Sequence, residues 1–290
     1  CIKKCTIFNN LTGQCSVRLN KNGKLVLPVS NYPADIKVDV VSRNPLSHYY
    51  PNQKVLQVGT IGCNMCCDFC NSWEISQDRP VDLEDYCSLN FKYQSPEQIV
   101  QRAQDSLVGL ILFTVNEPTV IAEYVLKVAQ LAHEQTVHIK VGIFTNGSMS
   151  RELAEEFAAN IDFVIFDFKP IDLDSQHLFD NLKIFTERTH TEVNISFKNS
   201  RQFPFVSLPK NIPIHLTQIK PDYKLINEDE YNDKPFDELI QMMKESKFKY
   251  VYDESSNAIQ YIKCQKCGAV IVTKQGGSVE IQHCCSKTYG

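Results

Sequence analysis

Short apolar runs alternate with longer amphipathic segments through the middle of the chain. Six of the apolar runs are predicted strands: residues 54–59, 110–114, 139–145, 163–168, 193–197 and 212–217. Four intervening segments place apolar side chains at helical spacing: residues 95–107, 118–134, 150–159 and 174–188. Strands and helices that alternate in this way predict βαβ units and a parallel sheet. The chain is therefore predicted to be an α/β protein. The pattern fits an open doubly wound sheet and a partial barrel equally well.

Polar side chains recur where the predicted strands end. They are Asn116 and Glu117 after the second strand, Thr145 and Asn146 at the third, Asp167 and Lys169 at the fourth, and His215 in the sixth. The carboxyl ends of parallel strands meet at one edge of a sheet or barrel, and ligands bind there. We therefore expect these side chains to line one site.

The two ends of the chain differ from this core. Residues 1–50 contain turn signals such as Asn22-Gly23 and no long helical period. Residues 251–290 contain Cys264-Gln265-Lys266-Cys267, a spacing typical of a zinc knuckle. We predict a cysteine-bearing N-terminal module at 1–50, a core at 51–250 and a knuckle-like, zinc-ribbon-like module at 251–290.

Composition and charge narrow the class of protein. Apolar residues make up 43% of the 290 positions and charged residues 22%, which is globular composition. A net charge of −4 provides no basic field for nucleic acid or an anionic membrane. The longest apolar run, Leu107 to Val115, is under half of the roughly 20 residues that cross a bilayer. The opening residues lack the apolar core of a signal peptide. We expect a cytoplasmic protein without nucleic-acid or membrane partners, whose natural start lies upstream of Cys1.

Twelve cysteines fall into clusters. Residues 88–263 contain none, so the pattern differs from a secreted disulfide framework and favours metal binding. Cys1, Cys5 and Cys15 fit either a structural or auxiliary metal site or free thiols. A second candidate metal set, for zinc, lies near the end of the chain and consists of Cys264, Cys267, Cys284 and Cys285, with His283 as a further candidate ligand.

The most informative segment contains Cys63-x3-Cys67-x2-Cys70 directly after the first predicted strand. Three thiolates on a short loop hold three irons of a [4Fe–4S] cluster and leave the fourth iron open. An open iron can take the amino and carboxylate groups of S-adenosylmethionine. Cys66 provides a fourth thiol and two alternatives, a zinc site or a fully ligated electron-transfer cluster.

This loop and several later runs resemble the radical S-adenosylmethionine (SAM) enzymes. Within them the chain looks like the radical protein of the AmmeMemoRadiSam system, a group similar to pyruvate formate-lyase activating enzymes. The matching runs are Asn116-Glu117-Pro118-Thr119, Thr145-Asn146-Gly147, Asp167-Phe168-Lys169, His215 with Lys220-Pro221-Asp222-Tyr223-Lys224, and Tyr250-Val251-Tyr252. The resemblance spans nearly the whole chain and implies a partial (β/α)6 barrel. The chain departs from the pattern at Cys66, at Phe168 in place of Leu, and at the missing second Cys-x2-Cys pair.

The resemblance also implies roles for individual residues. Cys63, Cys67 and Cys70 would bind the cluster, and Phe69 would lie against the adenine. Asn116 and Glu117 would receive the methionine ammonium of SAM. The remaining candidates would lie around the ribose or the methionine carboxylate: Thr145, Asn146, Asp167, Lys169 and His215.

The implied function is reductive cleavage of SAM at a [4Fe–4S] cluster. The resulting 5′-deoxyadenosyl radical would abstract a hydrogen atom from an unidentified small-molecule or protein substrate. An external reductant such as flavodoxin or ferredoxin is an implied partner. One alternative is an activase that acts on a glycine of a partner protein. Another is a non-catalytic zinc-binding or electron-transfer iron–sulfur protein.

Overall fold

A computed structural model describes residues 1–77, 80, 82–169, 176–197, 207–227, 234–256, 258–263, 267–275 and 278–282. Within these residues, a central eight-stranded sheet has the strand order β10-β9-β8-β7-β6-β5-β4-β3. Its strands are β3 (Asp35–Val40), β4 (Lys54–Gly59), β5 (Leu110–Phe113), β6 (Lys140–Thr145), β7 (Phe163–Phe168), β8 (His190–Phe197), β9 (Pro213–Gln218) and β10 (Tyr250–Asp253). The strands from β4 to β10 are parallel, and β3 pairs antiparallel with β4.

Helices connect the parallel strands. They are α1 (Trp73–Ser76), α2 (Leu83–Asn90), α3 (Pro96–Asp105), α4 (Ala122–His133), α5 (Arg151–Asn160), α6 (Gln176–Arg188) and α7 (Lys234–Glu245). Because the parallel strands follow one another in chain order, crossovers of one hand place the helices on one face of the sheet. A sheet covered in this way curls into a partial barrel, which confirms the α/β barrel expectation. The parallel part has seven strands rather than six, since Tyr250–Asp253 pairs with β9.

The helix signals in the sequence correspond to real caps. The Ser95 hydroxyl accepts from the Gln98 backbone N–H at 3.4 Å, and the Gln98 side chain accepts from the Ser95 N–H at 2.8 Å. This capping box starts α3, with Pro96 in its first turn. The predicted helix at 118–134 instead begins with a 3₁₀ turn at Pro118–Ile121 before α4.

The two faces of the sheet bury different layers. Val164, Phe166 and Phe168 of β7 belong to the main apolar core, which also contains the buried faces of the helices. Phe163 and Ile165 point the other way and belong to a second apolar cluster, which we call the barrel plug. The barrel plug consists of Val41, Leu46, Val55, Leu110, Leu112, Phe163 and Ile165. Along β7, the next residue on the plug side is Asp167, so the interior changes from apolar to polar toward the carboxyl ends.

The flanking segments contribute to the same body. The hairpin of β1 (Leu19–Lys21) and β2 (Lys24–Val26) turns at Asn22 and Gly23, both at positive φ. Asp35–Val40, which falls within the predicted N-terminal module, is an edge strand of the main sheet. A three-stranded antiparallel sheet follows the barrel, formed by β11 (Gln260–Lys263), β12 (Val270–Gln275) and β13 (Ser278–Ile281). Across the described ranges, no helix is long and apolar enough to cross a membrane.

Gly62 lies where the N-terminal segment packs closely on the barrel. It has a φ of 81°, and a Cβ there would lie 2.5 Å from the Cys15 carbonyl oxygen and 2.4 Å from Val17 Cγ1. Positive φ costs a side chain about 1–2 kcal/mol, and overpacking adds about 1–3 kcal/mol. We expect Gly62→Ala to lower the free energy of unfolding by about 2–5 kcal/mol in denaturant titrations.

Gly23 provides the matched control, because it has a φ of 79° and a Cβ there would have nothing within 4 Å. Gly23→Ala should therefore cost only about 1–2 kcal/mol, the conformational part of the effect. Equal losses for the two variants would contradict close packing at Gly62.

Candidate functional site

The cysteine loop lies at the carboxyl end of β4. Cys63, Cys67 and Cys70 line a cavity of about 500 Å³, whereas Cys66 is exposed to solvent. Phe69 also lines this cavity, and so do six of the seven polar residues predicted from the strand ends: Asn116, Glu117, Thr145, Asn146, Asp167 and Lys169. The strand ends therefore bring the candidate residues together.

Asn116 holds the backbone that leads into the loop. Its Oδ1 accepts from the Thr60 N–H at 3.0 Å, and its Nδ2 donates to the Gly62 carbonyl at 2.8 Å. The preceding residue, Val115, has a φ of 74°, which is rare for a β-branched residue. Gly59 leaves space for it, since a Cβ at Gly59 would lie 2.9 Å from Val115 Cβ. Asn116 therefore positions the cysteine loop, and its expected contact with a methionine ammonium stays a prediction.

Glu117 is a buried carboxylate bonded to two neighbouring strand ends. Its Oε1 accepts from the Thr119 N–H at 3.0 Å, the Thr119 hydroxyl at 2.6 Å and the Thr145 hydroxyl at 2.7 Å. Its Oε2 accepts from the Asn146 N–H at 2.8 Å. Burial raises the pKa of Glu117, although the four donors favour its charged form. Because Oε2 has a single donor in this set, it retains acceptor capacity toward the cavity.

A second amide pair ties the loop to the end of β6. Asn146 Nδ2 donates to Asn64 Oδ1 at 2.8 Å, and Asn64 Nδ2 donates to the Ser148 carbonyl at 2.9 Å. Asn64 directly follows the first cysteine of the loop. The loop is thus fixed by the side chains of Asn116 and Asn146, which follow β5 and β6, as well as by its direct connection to β4.

Lys169, which is partly exposed, and the buried Asp167 form an ion pair beside the thiols. Asp167 Oδ1 also accepts from Asn194 Nδ2 at 2.8 Å and from the Ser196 hydroxyl at 3.0 Å. Burial opposes the charge on Lys169, but Asp167 and the neighbouring Cys67 and Cys63 raise its pKa. A cation is therefore held next to the cysteine sulfurs.

The three cavity thiols suit a metal cluster. Burial raises the pKa of Cys63, and it raises the pKa of Cys67 to about 11, so both favour the thiol form until a metal ion binds them. Polar groups lie beside two of the sulfurs: the Met65 N–H donates to Cys63 Sγ at 3.5 Å, and the Ser76 hydroxyl shares a hydrogen bond with Cys70 Sγ at 3.0 Å. Thiolates that face one cavity and accept hydrogen bonds are the ligands of iron–sulfur clusters. The residues present therefore fit a cluster with three protein ligands.

The run after β9 covers the outer side of the loop. The rings of Tyr223 and Trp73 stack with centroids 5.2 Å apart. The Lys224 N–H donates to the Asp68 carbonyl at 3.0 Å, and its ammonium lies 2.8 Å from the Asp68 carboxylate. The Pro221-Asp222-Tyr223-Lys224 run therefore supports the loop.

His215 lies one layer behind the cavity, fully buried between two carboxylates. Its Nε2 is 2.7 Å from Glu192 Oε2, and its Nδ1 is 2.7 Å from Glu254 Oε1. Glu254 lines the cavity and also pairs with the buried ammonium of Lys274, which comes from β12. His215 therefore reaches the cavity through Glu254, and its expected contact with SAM stays a prediction.

These buried charges stabilise one another. Burial opposes ionisation, yet the contacts with His190 and His215 hold the pKa of Glu192 well below its usual range. The two carboxylates likewise raise the pKa of His215 against the effect of burial. Glu192 also accepts from the backbone N–H groups of Ser47 and His48 at 2.8 and 2.7 Å.

Sequence reasoning missed several cavity and network residues. They are Glu192, Asn194, Ser196, Thr217, Glu254 and Lys274. The strand β8 carried a signal, because Glu192, Asn194 and Ser196 alternate with Val193 and Ile195 at the period of two that marks one strand face. Glu254 and Lys274 have no comparable local pattern.

The second candidate metal set falls mostly beyond the described ranges. Cys267 is described and exposed, whereas Cys264, Cys284, Cys285 and His283 lie outside the described residues. Zinc binding by this set stays a prediction.

Comparisons with known proteins relate the chain to one superfamily. Residues 58–193 match the family model of the radical SAM superfamily. The uncharacterized protein MJ0808 of Methanocaldococcus jannaschii is 26% identical over 301 residues, covering 94% of this chain and 86% of that protein.

Solved structures of Streptococcus suis SuiB are also similar. SuiB bound to the precursor peptide SuiA has 15% identity and a TM-score of 0.44, covering 67% of this chain and 47% of SuiB. SuiB bound to S-adenosylmethionine has 14% identity and a TM-score of 0.45, covering 67% and 48%. The chain thus spans about half the length of SuiB.

The buried network predicts a pH-dependent contribution to stability. Because the fold raises the pKa of His215, protonated His215 stabilises the folded state fully below pH 6.5, its ordinary pKa. This stabilisation is lost as pH rises through the pKa of the folded state. Because the fold lowers the pKa of Glu192, ionised Glu192 stabilises the folded state fully above pH 4.5, its ordinary pKa. This stabilisation is lost as pH falls through the pKa of the folded state. We expect His215→Gln to cost about 3–5 kcal/mol between about pH 5 and 6.5, and less at higher pH.

Denaturant titrations from pH 5 to 9 would measure this difference, with His138→Gln as the control because His138 is exposed. A loss that stays constant across the range would contradict a charged His215.

Proposed function

We propose that the cavity binds the cofactors of a radical SAM enzyme. Residues 58–193 belong to the radical SAM superfamily, a family of enzymes that use a [4Fe–4S] cluster and SAM. In this proposal Cys63, Cys67 and Cys70 hold the cluster and the strand-end polar residues hold SAM beside it. The observation that carries the proposal is that the three thiols and these polar side chains line one cavity. The finer resemblance to the AmmeMemoRadiSam group stays a prediction.

The cofactors determine the chemistry that the site delivers. When bound, a reduced cluster supplies an electron that cleaves SAM and yields a 5′-deoxyadenosyl radical able to take a hydrogen atom from a substrate. The chain itself binds and orients the cofactors, and it excludes water from the site. Its barrel plug closes the amino end of the interior, so a substrate enters from the carboxyl side of the strands.

The charges of the cavity complement the two ends of a methionine group. The remaining acceptor capacity of Glu117 Oε2 suits the ammonium, and the Lys169 ammonium suits the carboxylate. Phe69 provides an apolar surface for the adenine, and Thr145 and Asn146 keep Glu117 in place. Asp167 holds Lys169, so it acts on SAM through that lysine.

The hydrogen donor defines two versions of the proposal. In the first, the donor is a small molecule or a side chain of a partner protein. In the activase version, the donor is a backbone glycine of a partner protein. Both versions need an external one-electron reductant, for which flavodoxin and ferredoxin are the candidates.

Cysteine variants test the cluster assignment. After anaerobic reconstitution, Cys63→Ala, Cys67→Ala and Cys70→Ala should each abolish a reduced-cluster electron paramagnetic resonance signal that changes shape when SAM is added. Cys66→Ala is the matched control on the same loop, and it should keep that signal because Cys66 lies outside the cavity that the other three cysteines line. Loss of the signal in Cys66→Ala, or a wild-type signal indifferent to SAM, would contradict the proposed ligands.

A lysine variant tests the SAM site. Lys169→Met should raise the Kd for SAM about tenfold, or about 1.4 kcal/mol, because the carboxylate loses its cation. Lys140→Met is the control, since Lys140 pairs with Asp162 at the opposite end of the sheet. Equilibrium binding of SAM to the reconstituted protein measures both, and equal affinities would remove Lys169 from the SAM site.

A further inference from the structure

A second group of thiols lies against the cysteine loop. Cys1, Cys5 and Cys15 are irregularly spaced in the sequence, yet all three line one cavity of about 420 Å³. Gly13 packs beside Cys5, since a Cβ at Gly13 would lie 3.6 Å from Cys5 Sγ, an ordinary contact distance. The N-terminal cysteines therefore converge on one space, separate from the cavity of Cys63, Cys67 and Cys70.

The two cavities share a wall one side chain thick. Asn64 Nδ2 lies 4.0 Å from Cys1 Sγ, and Asn64 Oδ1 lies 4.0 Å from Cys63 Sγ. On the other side of Cys63, the Cys15 carbonyl packs against Gly62. The N-terminal segment thus contacts the cysteine loop on both sides of its first ligand.

The lining of the second cavity carries charges of both signs, with cations in slight excess. Lys3, Lys4 and Arg18 line it, against the carboxylates of Glu123 and Glu156. Arg18 is held in place, because its guanidinium donates to both oxygens of Glu123 at 2.6 and 2.5 Å. Thiolates bound to metal carry negative charge, and cations in the lining offset it.

The donors of the cavity limit the classes of metal that it can bind. Sulfur-only ligand sets select zinc, copper(I) or iron–sulfur clusters. The described lining supplies three thiols, the donors that hold iron–sulfur clusters, together with the carboxylates of Glu123 and Glu156. The cavity volume of about 420 Å³ leaves room for a polynuclear group.

We propose that Cys1, Cys5 and Cys15 bind a second iron–sulfur cluster, adjacent to the one assigned to Cys63, Cys67 and Cys70. Each cysteine would supply one thiolate to one iron of the cluster. This inference does not rest on the proposed function, because it concerns different residues and a different cavity.

The test counts iron and acid-labile sulfide after anaerobic reconstitution with ferrous iron and sulfide. The triple variant Cys63→Ala/Cys67→Ala/Cys70→Ala should retain about four iron and four sulfide per chain. Its reduced-cluster signal should be indifferent to SAM, because the polar residues proposed to hold SAM line the other cavity. The triple variant Cys1→Ser/Cys5→Ser/Cys15→Ser should lose about half of the wild-type iron and keep any SAM-responsive signal. Cys66→Ala should retain the full wild-type content.

Two outcomes would overturn the second cluster. One is a folded core variant, judged by circular dichroism, that binds no iron or binds zinc without sulfide. The other is an N-terminal variant that keeps the wild-type iron content, and this arm decides the matter if the core variant fails to fold. A failure of the proposed function would instead show as a missing SAM response with the iron of the N-terminal site still present.

Discussion

Three sulfur atoms are held over the end of a sheet by a loop with little secondary structure of its own, and much of the surrounding structure fixes that loop. Between the end of β4 and α1 the loop runs without a regular ladder, so groups from other parts of the chain satisfy its backbone. The Asn116 amide does so before Cys63, and the Lys224 backbone does so at Asp68. Residues that the resemblance suggests for contact with SAM thus serve the loop as well, and a substitution among them would affect the proposed cluster ligands and the proposed SAM site together.

Burial of charge is the second constraint, and the fold meets it by pairing. Glu117 accepts four hydrogen bonds, Asp167 pairs with Lys169, and Glu192 and Glu254 enclose His215. An unpaired charge in such an interior would cost several kcal/mol, whereas fully bonded charges are rigid. The barrel plug below them keeps water from the other end. The result is a polar interior whose groups are oriented before any ligand arrives, which the proposed radical chemistry would need.

Much of this arrangement is readable from the sequence because it is local. Apolar runs locate the strands, Ser95 and Gln98 locate a cap, and the rule for carboxyl ends collects Glu117, Thr145 and Asp167 at one cavity. Two features could not be predicted from the sequence, because each depends on a partner distant in the chain. They are the edge strand Asp35–Val40 and the pair of Glu254 with Lys274. No periodicity within either segment encodes the partner, and only the folded backbone brings the two together.

The long-range contacts also show why the ends of the chain belong to the site. Lys274 comes from the sheet beyond the barrel, yet its ammonium is buried on Glu254, which lines the cavity and holds His215. The N-terminal segment reaches the opposite side, where the Cys15 carbonyl contacts Gly62 and Cys1 contacts Asn64. A barrel without these segments would leave Glu254 short of its cation and the cysteine loop open on one face. The flanking segments therefore complete the electrostatics and the packing of the interior, and the chain is best understood as one site assembled from three stretches of sequence.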